Sequence, residues 1–514
     1  MKLRAAVGRF LSAVFNRFTV TLAAILIQLA YFAVLFYRLY EYAAWVDMTF
    51  RVIAVLTAIY IIWIDFNPAY KIGWIVLIAA LPAMGTVLFI IFGGKKSARS
   101  LRRKITAQEK LHEEEFLQKM DPDVIRSSRL RRTSEYVSKC APYPAWDHTT
   151  IKYYPVSDLE FADMIEDMKA AKHFIFIEYF IITGGELWDE IFDVLKRKAA
   201  EGVDVRVLYD DIGSINKLPR RFQKTLREAG IRVLAFNTMK PLLSLVYNNR
   251  NHRKITVVDG YIGYNGGANI GDEYVNRRVR FGHWKDGSVR IRGEAVWNLT
   301  LMFLNMWNTF DPRDRDYDAF RPHAHYPGEF ESEGVIQPFS DSPLDNEPVG
   351  ESVYMELISQ SRDYLYIYTP YLIPDSEMET QLKLAAKRGV DVRIVTQGIP
   401  DKKLIYAITR SYYKPLIAAG VKIYEYTPGF IHAKCFVCDD RAAVVGTINV
   451  DYRSFYLHFE CGTLIMENDT AIRALKKDCF DTFARSRDLT ENAPRKNIFG
   501  IVAGVLFRVF SPLL

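Results

Sequence analysis

Two histidine–lysine pairs recur at matched spacing in one chain of 514 residues, as His252-x-Lys254-x4-Asp259 and His432-x-Lys434-x4-Asp439. Seven residues after each aspartate comes Gly-x-x-Asn, first as Gly266-Gly267-Ala268-Asn269 and then as Gly446-Thr447-Ile448-Asn449. Two imidazoles and two ammoniums gathered at one place suit a phosphodiester. The lysines hold the anionic oxygens, one imidazole attacks phosphorus, and the other protonates the leaving oxygen. That scheme requires neither a metal nor an organic cofactor.

The motifs lie in apolar, β-branched runs, HRKITVVD and HAKCFVCD. On a strand, residues two apart share a face, so His and Lys are expected to project together while Asp259 and Asp439 end the strand at the opposite end. A nucleophilic imidazole needs an acceptor on its other nitrogen, to select the tautomer and stabilise the cation. Each half offers a carboxylate: Asp286 before SVRIR and Glu460 before CGTLIM, 34 and 28 residues after the histidines of their halves. They are the expected orienting pair.

The elements that must position these groups are themselves duplicated. Gly202-Val-Asp-Val-Arg206 returns as Gly389-Val-Asp-Val-Arg393, each after a Lys- and Ala-rich helical stretch, and FIFIEYFI from Phe174 parallels YLYIYTPYLIP from Tyr364. Short apolar strands separated by helical patterns indicate an α/β fold with mixed sheets, built as two similar half-domains over 146–330 and 331–490. Each half is long enough to bury a core.

Five cysteines, Cys140, Cys435, Cys438, Cys461 and Cys479, make no disulfide or zinc framework. Cys435-x-x-Cys438 has no second pair and reads as buried apolar surface. GYNGGANIG lacks the Gly-Lys-Ser/Thr ending of a nucleotide-binding loop, so no nucleotide is expected. The net charge of +7 points to an anionic partner.

Residues 1–94 read as a membrane region with two to three apolar segments, 18–37, 51–65 and 72–92. The first and last are long enough to cross about 30 Å of hydrocarbon as helices. KKSARSLRRK directly after the last apolar segment opens a basic helical linker, 95–145, and places the following catalytic half on the cytoplasmic side. A multi-pass cell-membrane protein with anionic phospholipid as its partner, rather than nucleic acid, is the expectation. The carboxyl end, 491–514, reads as an amphipathic interfacial segment, with packing against the catalytic core as the alternative.

The paired motifs resemble those of the phospholipase D superfamily, in which two halves of a bilobal fold bring their HKD motifs to one site. That resemblance implies a phosphohistidine on one histidine, here His252, and acid/base work by the other, His432. It implies that Asp259 and Asp439 brace the fold by ion pairs, and that Asn269 and Asn449 belong to the site. Where the superfamily commonly has a hydroxyl after the first glycine, Thr447 keeps it for phosphate contact and Gly267 does not. NPAYKIGWIVLIAALPAMGTVLFIIFGG, Asn449-Val-Asp451-Tyr-Arg453-Ser454 and the ending FSPLL look like the bacterial cardiolipin synthases of that superfamily. One departure is His458, where that family often has Asn. The resemblance implies phosphatidyl transfer between two phosphatidylglycerols, giving cardiolipin and glycerol. Headgroup hydrolysis by a membrane-bound phospholipase D, a membrane-anchored nuclease and an inactive lipid-binding scaffold are the alternatives.

Overall fold

The computed structural model describes residues 26, 28–34, 37, 44–64, 67–93, 99–116, 124–238, 249–314, 316–490 and 508. The chain forms two compact units, one of Leu101–Phe236 with Arg250–Gly504 and the other of the remaining segments.

In the larger unit the duplication is explicit. The first half contributes β1 (Thr149–Tyr154), β2 (Phe174–Tyr179), β3 (Asp204–Asp210), β4 (Arg232–Phe236), β5 (Lys254–Val258), β6 (Ile262–Gly266) and β7 (Ser288–Gly293). They lie in the order β1-β7-β6-β5-β2-β3-β4. The second half contributes β8 (Val335–Asp341), β9 (Tyr364–Tyr368), β10 (Asp391–Gln397), β11 (Lys422–Tyr426), β12 (Cys435–Cys438), β13 (Ala442–Gly446), β14 (His458–Met466) and β15 (Ser486–Asp488). Their order, β8-β14-β13-β12-β9-β10-β11-β15, repeats the first with one added edge strand. In each sheet three consecutive strands are parallel and the motif strand, β5 or β12, runs antiparallel to its neighbours. β2 is buried on both faces, and so Phe174–Ile177 run apolar without alternation, while the buried Glu178 that follows accepts from Asn251 and Arg253.

The repeated GVDVR has a backbone reason. Gly202 and Gly389 follow the helices Glu186–Ala200 and Ser376–Lys387 at φ +91° and +95°, the left-handed conformation that ends a helix and that glycine adopts without strain. The next residues open β3 and β10. Their arginines then diverge: Arg206 is buried between Asp204 and Asp314, whereas Arg393, paired with Asp391, keeps 22% of its side chain exposed.

Helix Val296–Phe310 is buried through Thr309. Its Asn298 donates to Pro144 O at 2.7 Å and Pro338 O at 2.8 Å and accepts from Trp146 Nε1 at 2.9 Å. The stretch read as a linker holds helices that join the same body: Gln108 donates to Tyr317 at 3.1 Å and His112 stacks on that ring.

In the smaller unit, helix Ala44–Trp63 contains the expected segment 51–65 up to Trp63 and carries the pair Arg51–Asp47 at 2.8 Å. The stretch 72–92, expected as one continuous crossing, is broken. Helix Pro68–Ala80 stops at Leu81, Pro82–Leu88 restarts, and a π-turn follows over Phe89–Gly93. Pro82 has no N–H to continue the helix, and its ring disfavours the helical conformation at Leu81, which sits at φ −136°, ψ 74°. Among the described residues no helix is long and apolar enough to cross a membrane. The expectations for 18–37, apart from 26, 28–34 and 37, and for 491–514, apart from 508, lie outside the described residues.

Candidate active site

Each motif histidine precedes its strand, β5 or β12, which begins at Lys254 or Cys435, and is delivered by a short pairing with the opposite half. Arg250–Asn251 pairs in parallel with His458–Phe459, and His252 N donates to Phe459 O at 2.9 Å. Reciprocally, Gly429–Ile431 pairs with His283–Lys285, and His432 N donates to Lys285 O at 2.7 Å. The two motifs therefore meet at the seam.

These pairings cross the carboxylates between the halves. Glu460 faces His252 Nδ1 at 2.9 Å, and Asp286 faces His432 Nδ1 at 2.7 Å. Both expected acids orient a histidine, each that of the other half. Strand register makes them equivalent, since Gly266 pairs with Ser288 and Gly446 with Gly462. With the carboxylate on Nδ1, the Nε2 lone pair is left available for attack.

Burial pushes the imidazole of His252 well below its ordinary range, against the pull of Glu460. Burial, reinforced by Lys434, lowers His432 to about 4. The carboxylates go the other way: burial alone would raise them, but His252 holds Glu460 down, and His432 and Lys434 hold Asp286 down. Burial brings Lys254 to about 7 and Lys434 to about 8, with Glu460 and Asp286 opposing the fall in both. Each lysine donates to the carbonyl of its own histidine. The resting site thus holds neutral imidazoles, ionised carboxylates and lysines ready to be fully charged by an arriving anion.

Gly267 and Thr447 differ for a steric reason. A Cβ at Gly267 would stand 2.0 Å from Asp286 Oδ1 and 3.1 Å from His432 O, so the carboxylate occupies the space where a hydroxyl residue would sit. At the equivalent place Thr447 Oγ1 donates to Glu460 Oε2 at 2.5 Å. Its hydroxyl therefore positions Glu460.

Asp259 and Asp439 are also corrected. They stand at the far ends of the motif strands at φ 47° and 53° and make no ion pair among the described residues. Asp259 accepts from the backbone N–H groups of Lys172, His173 and Phe174 at 2.7–2.9 Å, and Asp439 likewise from Arg362, Asp363 and Tyr364. They fasten the start of β2 and β9 and lie away from the reacting groups. Asn269 accepts from Ile181 N at 3.0 Å, and Asn449 donates to Ser454 at 3.0 Å.

Aromatic rings close on both histidines, Phe180 at 4.9 Å from His252, and Trp284 and Phe430 at 5.3 and 5.8 Å from His432. Sequence reasoning missed these, and it named His458 only as a departure from the family pattern; its Nδ1 is 3.4 Å from Glu460. The signal was available: 284 and 458 each precede an orienting carboxylate by two residues. His252, His458 and Glu460 also have the donor atoms a metal ion would use.

A duplicated α/β body with two His-x-Lys motifs meeting at its seam defines a phospholipase D-class protein. The family model described as "Cardiolipin synthase, PLD-like domain" matches residues 164–280 and 354–480. A cardiolipin synthase 1 of Bacillus anthracis is 34% identical over 90% of this chain and 94% of its own. An uncharacterised protein of Streptococcus mutans is 41% identical over 89% of this chain and 99% of its own. The crystal structure of a phosphatidylserine synthase from Haemophilus influenzae shares the fold, with a TM-score of 0.55 at 18% identity over 74% of this chain and 97% of that one. The chain belongs to the cardiolipin synthase family.

Proposed function

We propose that the protein transfers a phosphatidyl group from one phosphatidylglycerol to a hydroxyl of a second, giving cardiolipin and glycerol. The observation that carries this reading is the crossed pair of oriented imidazoles, His252 on Glu460 and His432 on Asp286, with Lys254 and Lys434 beside them. His252 Nε2 attacks phosphorus, the P–O bond to the departing glycerol breaks, and His432 gives that oxygen its proton. The neutral His432 takes up this proton as the anionic phosphate arrives. In the second step the acceptor hydroxyl passes its proton to His432 and attacks phosphorus, and the P–N bond breaks. One phosphodiester replaces another, so the chain's own groups suffice for the proton and phosphoryl bookkeeping.

The rings of Phe180, Trp284 and Phe430 support transfer over hydrolysis, because they shield the intermediate from water. Membrane attachment with the catalytic unit on the cytoplasmic side belongs to the same proposal. In the smaller unit Val55, Leu56, Ile59, Ile62, Trp63 and Ile90 are exposed, an apolar surface suited to lipid, and the basic run after it suits the cytoplasmic face.

The test is incubation of the vesicle-reconstituted protein with labelled phosphatidylglycerol. Cardiolipin and glycerol in equal amounts support the transferase. Phosphatidic acid as the main product replaces it with a hydrolase, and absence of lipid turnover, with cleavage of nucleic acid instead, replaces it with a nuclease.

A further inference from the structure

The two carboxylate–histidine assemblies differ in one neighbour. Strand register makes Trp284 and His458 equivalent. Trp284 donates its indole N–H to Asp286 at 3.3 Å, and an indole nitrogen is a donor only. His458 instead brings a nitrogen able to accept a cation. Its Nδ1 lies 3.4 Å from Glu460 Oε1, while Glu460 Oε2 is engaged by His252 and Thr447.

Donor atoms of His252, His458 and Glu460 lie within 4.8 Å of one another, and Glu460 is 0% exposed. Neither His458 Nδ1 nor Glu460 Oε1, both buried, makes a hydrogen bond of ordinary geometry. Two imidazoles and one carboxylate form a ligand set that zinc accepts in open sites, with bonds of about 2.0–2.2 Å and a fourth position left for an outside ligand. Bonds of that length draw together donor atoms that already lie within 4.8 Å of one another.

We propose that His252, His458 and Glu460 form a binding site for Zn2+ and that the bound ion holds the active site off. The switch follows from the tautomer. With Nδ1–H on Glu460, the Nε2 lone pair of His252 is free to attack. Zinc takes the Nδ1 lone pair, so the single proton of the neutral imidazole moves to Nε2 and the attacking pair is gone. No proton is released from that ring, and removal of the ion restores the original tautomer. The counterpart assembly at His432 has no such response, because Trp284 supplies no lone pair.

The binding half of this inference is independent of the lipid reaction, and the switching half rests on the proposed transferase. The chelator-treated, detergent-purified full-length protein is titrated with Zn2+ by calorimetry and, separately, with Co2+ by visible absorption. One zinc per chain at this site and a four-coordinate cobalt spectrum are expected. His458→Asn, with His458→Gln as a second variant, weakens zinc binding by no less than the roughly 10–100-fold that loss of an outer-shell partner costs. Turnover of phosphatidylglycerol is then compared with and without zinc within each protein. Zinc suppresses the wild type, added chelator restores it, and the His458 variants lose the suppression. Wild-type zinc affinity in both folded variants overturns the site. Zinc bound at this site with undiminished wild-type turnover overturns the switch. Absence of any lipid turnover refutes the transferase reading and leaves the titrations to decide the site.

Discussion

Gly267→Ser, which installs the hydroxyl residue common in the superfamily, is expected to damage the site. The added Cβ would lie 2.0 Å from Asp286 Oδ1, far inside contact, and 3.1 Å from the carbonyl of His432, whose backbone is pinned by strand pairing. Asp286 must therefore turn away, although it is buried and accepts from His432 at 2.7 Å, Gly287 N at 3.1 Å and Trp284 Nε1 at 3.3 Å. Losing the charge-assisted bond to His432 costs about 1.5–3 kcal/mol, and stability falls by a similar amount. The catalytic loss is larger, because an unoriented His432 forfeits the roughly 10²–10⁴-fold that a positioned acid/base contributes. The assay is single-turnover mixing with labelled phosphatidylglycerol, following glycerol release and cardiolipin formation separately, with thermal melting as a control for folding. Both steps slow together, since His432 serves in both. A folded Gly267→Ser protein with wild-type rates in both steps would refute the crossed-carboxylate reasoning.

Replacing His252 by Ala removes both turnover and the acid-labile phosphoenzyme, whereas His432→Ala forms phosphoenzyme slowly; label found on His432 in the wild type would reverse the roles. As pH rises through about 7 to 8, Lys254 and then Lys434 lose the charge that binds phosphate, so kcat/KM for lipid falls over that window. The sign follows from the need for the protonated amine, and a profile still climbing at high pH contradicts it. Thr447→Val removes one hydrogen bond to Glu460, worth about 1 kcal/mol, and slows turnover about fivefold; an unchanged rate means that Glu460 is held without it. Arg206→Ala takes the buried partner from Asp314 and leaves Asp204 with Arg232 alone, and costs about 3 kcal/mol, whereas Arg393→Ala at the more exposed repeat costs about 1 kcal/mol or less. Equal losses in denaturant unfolding would remove that distinction.

The duplication and the catalytic pairs are legible in the chain because they are local: His-x-Lys, GVDVR and the glycine after each helix are patterns a few residues long. Asp286 and Glu460 are legible as acids at strand starts. Which histidine each serves is not, because the contacts join residues 146 and 208 positions apart and arise only when the halves pair. Gly267 reads as a departure until Asp286 is seen in the space beside it. The aspartates of the motifs invite an ion-pair reading because charge is visible in a sequence and free backbone N–H groups are not. Hydropathy counts 72–92 as one apolar run, yet Pro82 interrupts the backbone without lowering the count.

The crossing of the carboxylates bears on how the protein is made. During synthesis the first half emerges with His252, Lys254 and its entire sheet, yet the acceptor for His252 Nδ1 is supplied by Glu460, more than two hundred residues later. A nascent or prematurely ended chain that held only this half would lack the acceptor of His252, and His432 in turn meets its acceptor on Asp286, already made, when it arrives. Competence to break a phosphodiester is thereby withheld until the second half has docked, so fragments of the chain carry the motif without the ability to attack lipid.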